Sequence, residues 1–127
     1  MNLELNGIVY DKLFIKTPIT RQAIIKDTQN SGWNLKGDYR RDIVGTYYNF
    51  TLNISMLKSE TEQYDNFYKA ITEPREYHII NLPFGQGFKK FKVYITAVND
   101  NLVKIGNVHH WENLNIQCLG AEVEYRL

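Results

Sequence analysis

The sequence predicts one α+β domain, 1–127, that is mainly β: an antiparallel β-sandwich or partly closed barrel with one flanking helix and a long arm. Three observations support this prediction. A chain of 127 residues is close to the commonest size of a single domain. Apolar and polar residues alternate with a period of two over many short segments, which is typical of strands. One segment alone, at about residues 60–72, has the spacing of a helix.

The predicted strands are separated by turn residues. Asn6-Gly7 lies between two short alternating segments, and this pair suits a two-residue hairpin turn because both positions need positive φ angles. The strongest alternation covers residues 47–56, with one apolar and one mostly polar face. Further strands are predicted at 19–26, 77–82, 91–97, 102–105, 114–118 and 123–127, with a loop at 83–87 and a turn at 99–101.

The predicted helix has a start signal, an apolar face and a stop signal. The segment 59–62, Ser-Glu-Thr-Glu, is a capping box in which Ser59 and Glu62 satisfy free backbone amides. Pro74 ends the helix because it cannot continue one. The apolar face comprises Tyr64, Phe67, Tyr68 and Ile71.

Between Asp27 and Gly45 no period indicates a regular element. Segments of this length without regular structure are uncommon and are usually functional arms or disordered. Trp33 lies in the middle of the segment and argues against simple disorder, because tryptophan is poorly solvated. We therefore expect residues 27–45 to form an arm.

Composition excludes several classes of function. Fifteen Lys and Arg against fourteen Asp and Glu give a formal charge of +1, whereas nucleic-acid-binding proteins usually have a clear basic excess. No apolar run approaches the ~20 residues of a membrane span. Cys118 alternates with Leu114 and Ile116, so we interpret it as a core residue in a protein made in a reducing cytoplasm.

No residue pattern predicts an active site, a cofactor or a bound metal. On a strand the His109-His110 pair would point to opposite faces and would not converge on one metal, and His78 and Cys118 alone add too few ligands for a zinc site, so a turn followed by a core tryptophan is the favoured interpretation. Gly85-Gln86-Gly87 indicates a hairpin loop, and the acidic pair Glu122 and Glu124 indicates a solvated strand face. We accordingly expect no enzymatic activity, no cofactor and no small-molecule substrate.

The best alternative function is binding of single-stranded nucleic acid. Aromatic residues interleaved with lysines on a strand can stack bases and hold phosphates. The competing interpretation places Phe91 and Val93 inward and the lysines outward, where they protect a sheet edge, and the balanced charge favours it. The residues of this alternative face are Phe88, Lys90, Phe91, Lys92 and Tyr94.

Five segments together resemble small virion proteins of tailed bacteriophages and prophages of Gram-positive bacteria. They are 27–37 (DTQNSGWNLKG), 41–52 (RDIVGTYYNFTL), 64–70 (YDNFYKA), 74–78 (PREYH) and 82–86 (LPFGQ), in this order. The resemblance implies a non-enzymatic tail or baseplate subunit with a tail-tube-like fold, made in the bacterial host cytoplasm and located in the virion tail.

The resemblance also implies partners: other copies of the chain in a ring, with a hexamer expected, and other tail proteins, but neither a membrane nor a specific nucleic acid. In such a ring the arm would reach a neighbouring subunit, and its aromatic residues would supply the anchors. The candidate assembly residues are Trp33, Tyr39, Arg40, Arg41 and Tyr47. A weaker alternative is a carbohydrate-binding module in which Trp33, Tyr39 and Tyr47 stack on sugar rings.

Overall fold

Strands account for 64% of the chain in the structure, a computed structural model that describes residues 2–58 and 60–126. The predicted mainly β composition with one helix is confirmed. In chain order the elements are β1 (Asn2–Leu5), β2 (Ile8–Asp27), β3 (Gly32–Trp33), β4 (Tyr39–Arg40), β5 (Ile43–Met56), α1 (Thr61–Thr72), β6 (His78–Phe84), β7 (Gly87–Lys104), β8 (His110–Gly120) and β9 (Tyr125–Arg126).

Seven strands form one antiparallel sheet in the order β2-β1-β6-β7-β8-β5-β9, and β3 and β4 form a small separate sheet. Because β5 also pairs with β2, the pairings of six strands form a closed circuit. The contact between β1 and β6 is the narrowest part of that circuit, with a single residue pair, Leu5 and Ile80. Beyond Phe14, β2 has a strand partner on one side only, β5, among the described residues.

The core lies inside this circuit and is built from the apolar positions of the alternating strands. Leu52, Ile54, Leu114 and Ile116 are buried on β5 and β8, as the period of two predicts. Cys118 is also buried there, which confirms its interpretation as a core residue. Burial raises the pKa of its thiol to about 12, so the thiol stays protonated at neutral pH.

The helix α1 packs one face against the core, with Tyr64, Phe67 and Ile71 buried. It begins at Thr61, with Glu60 at the capping position and no side-chain capping bond from that residue. Ser59, the serine of the predicted capping box, lies outside the described residues. The end before Pro74 is confirmed, because Glu73 already has an extended backbone.

One predicted turn is wrong and one predicted loop is shorter than expected, because the strands extend into these residues. No turn occurs at residues 99–101: β7 continues to Lys104 and accommodates this polar stretch as an irregularity in its pairing with β8. The predicted loop 83–87 is a two-residue turn, since Phe84 pairs with Gly87. The Asn6-Gly7 hairpin is confirmed, with positive φ angles at both residues. The last predicted strand is shortened to β9, and its Leu127 lies outside the described residues.

The sheet has two different ends, which the strand registers define. At one end lie the β6–β7 turn, the last residues of β8, and the part of β2 and β5 that extends beyond β8 and pairs with β9 through β5. At the opposite end lie the β7–β8 hairpin and the start of β2. Helix α1 belongs to this second end, because Gln63 bonds Asp11 and Tyr64 bonds Asp100.

Candidate assembly interface

The predicted arm is a β-hairpin, longer and more regular than the sequence suggests. Residues 20–27 of β2 pair with residues 43–51 of β5, and the chain between them folds back through β3 and β4. The prediction that residues 27–45 lack regular structure is therefore wrong. We call residues 20–49 the arm and residues 28–42, which join its two strands, the tip.

Side-chain hydrogen bonds close the base of the tip. The Thr28 hydroxyl donates to Asp42 Oδ2 over 2.6 Å, and the Asp42 amide donates to Ser31 Oγ over 2.6 Å. Beside them, Arg41 Nη2 and Asp27 Oδ1 form an ion pair of 2.8 Å. These contacts join both sides of the tip and give it a defined shape within the single chain.

A turn centred on one asparagine orders the far part of the tip. Asn34 Oδ1 accepts hydrogen bonds from the amides of Lys36 and Asp38, each of 2.9 Å. The Asn34 amide in turn donates to the Asp38 carbonyl over 2.7 Å. Gly37 has φ of +85°, a conformation that glycine adopts without strain. The loop between β3 and β4 is thus ordered by hydrogen bonds of its own backbone to the Asn34 side chain and to the Asp38 carbonyl.

Three large apolar side chains of the tip are exposed to solvent. Trp33 is 75% exposed, Tyr39 is 45% exposed, and Leu35 between them is fully exposed. The Trp33 and Tyr39 rings meet edge to face, 5.2 Å between centroids, because the two residues are paired across β3 and β4. An ordered and exposed apolar cluster of this kind is typical of a site that binds another molecule.

The five predicted assembly residues do not form one surface. The structure brings Trp33 and Tyr39 together, but Arg40 pairs with Gly32 and so points to the opposite face of the small sheet. Arg41 is bound to Asp27. Tyr47 lies on β5 in the stem of the arm, where Lys26 Nζ is 4.4 Å from the centre of its ring. Sequence reasoning missed Leu35, although an isolated leucine between turn residues was a usable signal.

A second candidate surface, also missed, is a cleft between α1 and the β7–β8 hairpin. It has a volume of about 280 Å³ and is lined by Tyr64, Asp65, Tyr68, Asp100 and Trp111; we call it the aromatic cleft. The Tyr64 hydroxyl donates to Asp100 Oδ2 over 3.0 Å. Burial and this hydrogen bond raise the pKa of Tyr64, so the phenol stays neutral. The period of three to four in α1 places Tyr64 and Tyr68 one turn apart, but sequence did not show what faces them.

The predicted nucleic-acid face is wrong in one of its five residues. Phe91 is only 1% exposed and packs its ring 5.0 Å from that of Phe50, so it cannot stack on a base. The remaining residues, Phe88, Lys90, Lys92 and Tyr94, lie on the other side of β7, as the period of two requires.

Phe91 and Val93 point inward, as the competing interpretation of the lysines states. Residues 87–92 of β7, which carry the lysines, pair with β6, whereas the pairing with β8 begins only at Val93, so among the described residues this part of β7 has a strand partner on one side only. Lys89, on the Phe91 side, forms an ion pair of 2.8 Å with Glu124, whose side chain is only 8% exposed. The prediction of a solvated strand face at Glu124 is therefore wrong.

The predicted sugar-stacking residues do not form a flat platform. The planes of Trp33 and Tyr39 meet at 67°, and Tyr47 is in the stem of the arm beside Lys26. His110 begins β8 and its Nε2 is 2.9 Å from Glu112 Oε1. Within residues 2–58 and 60–126, no group of three His, Cys, Asp or Glu side chains is placed to hold a metal ion.

Comparison with known proteins does not add a family. No protein-family model matches this sequence, and no curated protein matches it. The resemblance to phage tail proteins therefore stays a prediction from the residues. In the part of the chain that the structure describes, no helix has the length and apolar character needed to cross a membrane.

Proposed function

We propose that this chain is a non-enzymatic structural subunit that forms, or docks on, a ring in the tail of a phage or prophage. One observation carries the assembly part of this proposal: the tip of the arm is ordered by its own hydrogen bonds yet presents Trp33, Leu35 and Tyr39 to solvent. A rigid binding surface loses little conformational freedom when it meets a partner, which favours affinity.

The tail location rests on the resemblance of residues 27–52 and the later segments to phage virion proteins. A sandwich or barrel of the tail-tube kind is the corresponding fold proposal. The antiparallel sheet, its one helix and its projecting arm are compatible with it. A hexameric ring with a head-to-tail interface is the expected assembly, with other tail proteins as further partners.

Replacement of Trp33 tests the role of the tip. Because Trp33 is mostly exposed, Trp33→Ala should leave the melting temperature of the monomer within a few degrees of the parent. Loss of an interface anchor typically costs about 2–4 kcal/mol, a factor of roughly 30 to 1,000 in affinity. Light scattering after size-exclusion chromatography, over a range of protein concentrations, would measure the shift from rings to monomers.

A matched control is Phe88→Ala, an exposed aromatic residue next to the β6–β7 turn, outside both the tip and the β7–β8 hairpin. It should leave assembly unchanged. A Trp33→Ala protein that assembles like the parent would overturn the role of the tip, and a strongly destabilised Trp33→Ala monomer would show that Trp33 belongs to the core.

A further inference from the structure

The arm and the aromatic cleft lie at opposite ends of the sheet. The arm extends beyond the last residues of β8, whereas the cleft lies between α1 and the distal half of the β7–β8 hairpin. The arm of a subunit therefore points away from the cleft of the same subunit. A contact between the two has to be made between different copies.

The aromatic cleft has the size of a site for side chains. Its volume of about 280 Å³ is just below the ~300–1,000 Å³ of small-molecule pockets. Tyr64, Tyr68 and Trp111 supply aromatic walls, while Asp65 and Asp100 supply carboxylates. A mixed aromatic and acidic wall suits an aromatic or aliphatic side chain that is accompanied by a basic one.

The tip offers this combination. Trp33 and Leu35 are exposed, and Lys36 follows directly in the turn that Asn34 orders. Within the described residues Lys36 forms no ion pair, whereas Arg41 is already bound to Asp27. Arg40 points to the opposite face of the small sheet, so Lys36 is the basic side chain of the tip that accompanies the exposed apolar cluster.

The charges of the two regions are complementary over a wider area. The arm, residues 20–49, contains five basic and three acidic side chains and has a formal charge of +2. The helix and the segment that follows it, residues 60–76, contain five acidic and two basic side chains and have a formal charge of −3. Opposite charges steer two copies toward an arm-to-helix contact and disfavour arm-to-arm or helix-to-helix contacts.

We propose that the tip of one copy docks in the aromatic cleft of the next copy, with Trp33 and Leu35 against Tyr64, Tyr68 and Trp111. This inference rests on the proposed self-assembly and specifies its interface. The contact is head-to-tail, so each copy uses its tip on one neighbour and its cleft on the other. Repetition of one such contact produces a ring if the rotation between copies closes, and a filament otherwise.

Disulfide cross-linking between two single-site variants tests the contact. Leu35→Cys places a thiol on the tip, and Lys69→Cys places one on the exposed side of α1, one turn beyond Asp65 of the cleft. The native Cys118 is buried with its pKa raised to about 12, so it should not react. The two full-length variants, one carrying a size tag, are mixed, allowed to assemble and oxidised.

The expected product is a disulfide dimer of one tagged and one untagged chain. It should form at least tenfold faster with Lys69→Cys than with a control variant, Gln86→Cys, in its place. Gln86 is an exposed residue of the β6–β7 turn at the arm end, away from the cleft. Addition of Trp33→Ala to the Leu35→Cys chain should reduce the yield of mixed dimer to that of the control.

The outcomes separate this inference from the proposed function. Assembly with equal cross-linking at Lys69→Cys and Gln86→Cys would overturn the docking site and leave self-assembly intact. Monomers at every concentration, with no cross-link, would overturn self-assembly and the docking site together. Specific cross-linking that Trp33→Ala abolishes would support both.

Discussion

Replacement of Phe91 by alanine tests whether this residue of β7 belongs to the core or to a nucleic-acid-binding face. The Phe91 side chain is almost fully buried and its ring contacts those of Phe50 and Phe84, at 5.0 and 5.5 Å between centroids. A phenylalanine that buries about 150 Å² at ~25 cal/mol per Å² contributes about 4 kcal/mol. This agrees with the ~3–5 kcal/mol that Phe→Ala substitutions cost in protein cores.

We therefore expect Phe91→Ala to lower the free energy of unfolding by about 3–5 kcal/mol. For a chain of this length that corresponds to a fall of roughly 10–20 °C in melting temperature. The matched control is Phe88→Ala on the opposite side of β7. Phe88 is 60% exposed, so the same area argument gives about 1.5 kcal/mol or less.

Thermal and urea unfolding of the two variants would give both values. Fluorescence titration with a single-stranded oligonucleotide at low and high salt would be run on the same samples, because salt weakens phosphate contacts. The reasoning fails if Phe91→Ala keeps the parental stability, or if it retains its fold but loses oligonucleotide binding that Phe88→Ala keeps.

Three further predictions follow from individual contacts. Lys89→Ala should lower the free energy of unfolding by about 1–2 kcal/mol, because Glu124 loses its partner. This is less than the ~3–5 kcal/mol expected for a fully buried pair, since Lys89 is half exposed. Urea denaturation would compare it with Lys90→Ala, whose exposed pair with Glu4 should contribute under about 1 kcal/mol. Gly45→Ala should loosen the C-terminal segment, because a Cβ at residue 45 would lie 2.5 Å from Val123 Cγ1 and 2.6 Å from the Tyr125 carbonyl oxygen. Faster hydrogen exchange of the Glu124 amide would report this change. Gly87→Ala, with open space around the new Cβ, is the control. Burial, and to a smaller extent Arg75, lowers the pKa of His78 below its ordinary value of 6.5. As the pH drops through about 6.5 the unfolded chain therefore binds a proton before the folded chain does, and the free energy of unfolding should fall. An unchanged pH dependence in His78→Gln would contradict this.

The alternation of residues along the chain allowed most of the strands to be predicted, because burial of one sheet face imposes a period of two. It predicted the inward residues of β5 and β8, and the helical spacing of Tyr64, Phe67 and Ile71 predicted the buried face of α1. It failed at residues 99–101, where Asn-Asp-Asn has the chemistry of a turn. There the pairing of β7 with β8 outweighs local preference, and an irregular register absorbs the polar stretch.

The arm illustrates a different limit of sequence reasoning. A strand was predicted at 19–26, but its pairing with β5 in a hairpin was not, because that pairing joins residues far apart in sequence. Trp33 and Tyr39 were found because exposed aromatic residues in a polar segment are unusual. The aromatic cleft was not found, because Tyr64 and Trp111 are far apart in sequence and only the tertiary fold brings them together.

The unpaired side of β2 restricts how copies of this chain can meet. Beyond Phe14 the backbone on that side faces no strand of the described residues, and such an edge can template unwanted sheet growth between molecules. Pro18 offers no amide there, and its neighbour Lys16 and, further along, Lys26 bring positive charges that repel the same edge of a second copy. Edge-to-edge pairing of two arms is thereby disfavoured. Even at high protein concentration, the tips would stay free to bind a different surface.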